Sequence, residues 1–123
     1  MAMTILTAAC KSLSRPDETR SFPKGRLDLV KLGGATIGRA TFEPGWRWSD
    51  SVKPIAKTDS CLASHLGYVI SGRMTVVMDD GTRLAFGPGD AMSVPPGHDA
   101  WVEGTEACTV IDFSGFENYA KRT

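Results

Sequence analysis

Across residues 68–100 the chain is punctuated too often for any helix to form. Three short apolar runs, Tyr68-Val69-Ile70, residues 74–78 and residues 91–94, are separated by Ser71-Gly72, Asp79-Asp80-Gly81-Thr82 and Gly87-Pro88-Gly89-Asp90. Pro95-Pro96-Gly97 follows the last of them. Apolar runs this short, rich in Val and bounded by Gly, Pro and Asp, read as strands of an antiparallel sheet. Asp80-Gly81 predicts a hairpin, since Asp-Gly supplies the positive φ angles that a tight primed turn requires.

The same rhythm extends to both sides. Residues 26–32 alternate, Gly33-Gly34 is a turn, and residues 35–42 resume as a second strand until Glu43-Pro44-Gly45 ends it. Further strands are expected over residues 59–70, 73–78, 83–86, 91–94, 99–103 and 107–113. That makes about eight, enough for two facing sheets. Residues 1–24 read as a loop-rich arm, with a short strand or helical turn over residues 4–10. Residues 25–113 form the barrel, and residues 114–123 a polar tail that is one helical turn or frayed.

Composition narrows the partners. Lys plus Arg and Asp plus Glu both number 14, so no basic excess exists to neutralise phosphates, and nucleic acid is not an expected partner. No apolar run approaches a membrane span, and the amino terminus lacks the basic start of a signal peptide. Three cysteines, Cys10, Cys61 and Cys108, make an odd set with no close pair, which points to a reducing, cytoplasmic setting. A chain of 123 residues suits one domain.

Residues 68–100 resemble the cupin family, whose fold is a double-stranded β-helix, an all-β jelly-roll barrel. Tyr68-Val69-Ile70-Ser71-Gly72 is similar to the end of the first cupin motif. Gly89-Asp90, Val94-Pro95 and Gly97 are similar to the second, with the Asp80-Gly81 hairpin between them. The resemblance implies a metal site of three histidines and a glutamate. Counted back from Tyr68, the glutamate position holds His65, and the two histidine positions of the first motif fall near Asp59 and Cys61. The histidine position of the second motif holds Ala100, with His98 two residues earlier.

Two readings stay open. In one, the ligand set is rewritten as Asp59, Cys61, His65 and His98, a thiolate, two imidazoles and a carboxylate that favour zinc over iron. Residues 59, 61 and 65 share one face of an extended strand, and His98 shares the parity of Ala100. In the other, the metal is lost, His65 is a core histidine and Cys61 a small buried hydrophobe. A Cys61–His65 nucleophile pair is disfavoured, because four residues of strand span about 13 Å.

A ligand pocket is expected beside His65, with Gly67 leaving space for it and Val69 on the same face. Trp46 and Trp48 either plug one barrel end or line the pocket mouth. The expected function is a small-molecule-binding cupin with a divalent metal. The alternative is a metal-dependent oxygenase, isomerase or lyase acting on a small polar metabolite. A homodimer is expected, because sheet edges or swapped amino-terminal strands would cover exposed ladder groups.

Overall fold

The computed structural model describes residues 7–116 and 119–121. Nine strands form two facing antiparallel sheets that do not close into one continuous barrel. The larger sheet has the order β1-β2-β3-β9-β4-β7: Glu18–Phe22, Gly25–Leu32, Ala35–Phe42, Cys108–Ser114, His65–Ser71 and Ala91–Val94. The smaller has the order β6-β5-β8: Arg83–Phe86, Arg73–Met78 and His98–Glu103. Among the described residues, no helix is long and apolar enough to cross a membrane.

Residues of alternate parity fill the space between the sheets. On β4 Gly67 and Val69 are buried while Leu66, Tyr68 and Ile70 face outward. On β9 Cys108, Val110 and Asp112 point inward, and on β8 His98, Ala100 and Val102 do. Strands β5, β6 and β7 have the expected bounds. The β5–β6 hairpin also forms, but its turn is of another type. Gly81 alone has a positive φ (90°), and its N–H donates to the Met78 carbonyl at 2.9 Å. The turn is therefore unprimed and ends on a left-handed glycine.

Four other expectations need correction. The arm contributes β1, which pairs with β2 along its whole length and places Phe22 in the core. Residues 7–10 form neither strand nor helix, and residues 4–6 lie outside the described residues. Two short helices, α1 (Trp48–Ser51) and α2 (Lys53–Ala56), occupy the segment read as irregular. In the tail, Phe116, Tyr119 and Ala120 are core residues, and Arg20 clasps them by donating to the carbonyls of Phe116 and Tyr119.

Strand β4 begins only at His65, not at residue 59. The preceding residues form a loop touching β8 at one point. There Cys61 N–H donates to the His98 carbonyl at 2.7 Å, and His98 N–H returns to the Cys61 carbonyl at 3.3 Å.

Candidate metal centre

That backbone exchange lays Cys61 beside His98, and the loop from residue 61 to residue 65 then turns His65 back towards both. Donor atoms of Cys61, His65 and His98 lie within 4.8 Å of one another. Cys61 Sγ is 3.9 Å from His65 Nε2, so the strand-length objection to this pair fails, because the intervening residues are not extended. Asp59 is exposed and stands outside the group. The parity that placed it there held only if the strand reached back so far.

Each imidazole is held by its other nitrogen. His98 Nδ1 donates to the Pro95 carbonyl at 2.8 Å, so Nε2 is the nitrogen left for the cluster. His65 Nδ1 faces Asp112 Oδ2 at 3.8 Å, an ion-pair distance longer than a hydrogen bond, while Nε2 faces Cys61. Metal-bound histidines generally have such a carbonyl or carboxylate behind them, which fixes the ring and its tautomer. Asp112 is the residue that sequence reasoning missed. The available signal was its parity with the apolar, inward-facing Cys108 and Val110.

Electrostatics favour charged forms. Burial pushes the Cys61 thiol up, but hydrogen bonding to His65 and His98 and their charge override it and bring it down to about 6. Burial pulls His65 down, but Asp112 and Cys61 raise it to about 9. Cys108 is the internal contrast: burial, with the charge of Glu106, lifts its thiol to about 11. A thiolate is the form of cysteine that ligates metal or attacks an electrophile.

Two spaces adjoin the cluster: all three donor residues line the first, and of them only Cys61 borders the second. The first is a small inner cavity of about 40 Å³, lined in part by Trp46, Trp48, Asp112 and Tyr119. The second is an open outer cleft of about 1080 Å³. Trp48, Cys61 and Tyr119 border both. Trp46 and Trp48 are each 2% exposed and belong to the core; both also line the inner cavity, and Trp48 borders the cleft as well. Both indole N–H groups, and Asp112 Oδ1, have no hydrogen-bond partner among the described residues.

Gly67 and Val69 line neither space. The room beside Gly67 is filled: a Cβ there would lie 2.6 Å from Asp112 Oδ1 and 2.6 Å from the Ile111 carbonyl oxygen. The glycine serves to let the carboxylate approach His65.

Residues 62–114 match the family model described as a cupin domain. Over those 53 of 123 residues the sequence matches a cupin domain. No curated protein matches the sequence. Among solved structures, this chain is similar to the polyketide cyclase RemF from Streptomyces resistomycificus. The two share 16% identity at a TM-score of 0.61, over 86% of this chain and 78% of that one. It is similar also to a protein of unknown function from Acidithiobacillus ferrooxidans, at 18% identity and TM-score 0.59, over 80% and 88% of the two chains. KdgF from a Halomonas species aligns at 22% identity and TM-score 0.54, over 78% and 83%. At such identities these likenesses speak for the fold alone.

Proposed function

We propose that this cupin is a small-molecule-binding module that holds a divalent transition metal, zinc ahead of iron, on Cys61, His65 and His98. One observation carries the reading. Three nitrogen and sulfur donors converge within 4.8 Å, and each imidazole presents one nitrogen while the other faces an acceptor. A thiolate with two imidazoles suits zinc, and three protein ligands leave a fourth position for an exchangeable ligand. When bound, the ion would act as a Lewis acid towards an oxygen of that ligand. The chain's own residues orient the donors: Pro95 holds His98, Asp112 holds His65, and Gly67 admits Asp112. Trp46 and Asp112, which carry an unpartnered indole N–H and an unpartnered carboxylate oxygen, line the inner cavity, which suits a polar guest there.

The second reading, a metal-dependent enzyme, draws on the same open position. Elemental analysis of protein purified without an affinity tag tests both. About one equivalent of zinc per chain, lost in Cys61→Ser, supports the binding module. Iron in that amount favours the enzyme, and no metal under zinc-replete growth removes the metal from the proposal. The proposed assembly is a homodimer through the outer face of β4, where Leu66, Tyr68 and Ile70 are exposed beside Phe113 of β9.

A further inference from the structure

The outer cleft has a chemical character of its own. Its lining cations, among the described residues, are Lys57 and Lys121; no Asp or Glu lines it, although the Glu18 carboxylate lies within electrostatic reach of Lys121. Val52, Ile55 and Leu62 supply apolar surface, and Leu62 is 61% exposed there, which is unusual for a leucine beside a core. Trp48 also borders the cleft, nine-tenths and more buried, with an indole N–H that has no acceptor among the described residues.

Lys57 adds a separate observation. It caps α2 in the left-handed region, at φ 60° and ψ 37°. Glycine adopts that conformation freely, and a side chain adopts it only at a cost. Lys24 and Ala120 are the other non-glycine residues described with positive φ, and Ala120 also borders the cleft. A strained lysine at a helix end where glycine would serve better marks a side chain kept for what it reaches.

We infer that the cleft binds a small amphipathic carboxylate. Its anionic group meets Lys57 and Lys121, its apolar body lies on Val52, Ile55 and Leu62, and an acceptor oxygen reaches the Trp48 N–H. This names the ligand class for the binding module proposed above and rests on that reading for the cleft's role, but it does not require the metal. A carboxylate with one apolar ring or short chain matches the lining. A neutral or cationic analogue of the same shape lacks the charge complement.

The test uses 3-phenylpropionate, 3-phenylpropanol and 3-phenylpropylamine as probes. Binding is followed by Trp fluorescence and by calorimetry on the full chain, once stripped with chelator and once zinc-loaded. On the metal-free protein the acid should bind about fivefold more tightly than the alcohol, the gain that one or two partly exposed ion pairs supply. The amine should bind most weakly, and added salt should erase the difference. Lys57→Gly relieves the backbone strain, so its melting temperature should stay level or rise while the preference for the acid falls. Lys57→Gly combined with Lys121→Ala should abolish the preference.

Equal affinity for acid and alcohol on metal-free protein would overturn the proposal. So would a preference that survives the double variant, or the acid's failure to bind at millimolar concentration. A preference for the acid seen only with zinc would place the anion on the metal and not on the lysines, and would equally overturn it. Failure of zinc to bind leaves the metal-free measurement intact, so the two readings fail separately.

Discussion

Replacing Gly67 with alanine tests the architecture of the site at its tightest point. The backbone of Gly67 is not in the left-handed region, so alanine meets no conformational barrier there and the effect is steric. The new methyl would lie 2.6 Å from the Ile111 carbonyl oxygen, 2.6 Å from Asp112 Oδ1 and 3.2 Å from Met92 Cε. Both oxygens are several tenths of an ångström too close. The Ile111 carbonyl belongs to β9, which pairs with β4, so it yields only if the sheet opens. Overpacking of this kind costs about 1–3 kcal/mol. At about 4 °C per kcal/mol for a domain of this size, a loss near 2 kcal/mol lowers the melting temperature by about 8 °C.

The carboxylate can yield by swinging away from His65. Losing such a partner behind a metal-bound histidine weakens metal affinity by about 10–100-fold. Thermal unfolding of metal-free protein and zinc competition against a chromophoric chelator read the two effects separately. In an Asp112→Ala background the side-chain clash is gone and only the Ile111 carbonyl remains. The same substitution should then cost about 1 kcal/mol less, the coupling expected of groups in contact. A Gly67→Ala protein that melts within about 2 °C of the parent and binds zinc as well would refute the close packing of β9 on β4 argued here.

Three further outcomes are expected. His98→Ala should release zinc as completely as His65→Ala does, and full occupancy in either variant would remove that residue from the ligand set. In metal-free protein, Cys61 should react with iodoacetamide with a midpoint near pH 6, and His65→Ala should move that midpoint up; peptide mapping separates it from Cys10 and Cys108. The signs for stability are opposite. Cys61, with its thiol depressed, stabilises the fold at high pH and loses that as pH falls through about 6, whereas His65 stabilises it below about 6.5 and loses that as pH rises through about 9. Ile70→Lys, on the exposed face of β4, should leave melting nearly unchanged and convert a dimer to a monomer, whereas a parent protein sedimenting at 13.2 kDa, the mass of one chain, would reject the dimer.

The strands were legible where apolar runs and turn residues coincide. Arg73–Met78, Arg83–Phe86 and Ala91–Val94 stand between Gly- and Pro-rich breaks, and periodicity alone locates them. Strand β1, Glu-Thr-Arg-Ser-Phe, was not legible, because it is an edge strand with a single large apolar residue. The turn after it uses Lys24 in the left-handed region, at φ 62°, where a glycine would have signalled the hairpin. In the site, Cys61, His65 and His98 were legible through motif position and parity. Asp59 was drawn in by carrying that parity into a loop. Asp112 reaches His65 across the β4–β9 pairing, opposite Gly67, from 47 residues away in sequence (112 minus 65), and no local pattern encodes that meeting.

The short bridge between Cys61 and His98 has a kinetic consequence. Two donors on facing, mutually hydrogen-bonded backbone positions are kept at the fixed spacing of an antiparallel pair, about 5.5 Å between α-carbons. An arriving ion has no chain to gather in, unlike in small domains whose metal sites assemble only as they fold. Loading should then be a single fast bimolecular step, and chelation should leave a folded protein ready to reload. In the proposed metal site, ion exchange would be decoupled from folding by this one pair of hydrogen bonds. What the site holds at any moment would report the supply of metal around the protein, not the folding history of the chain.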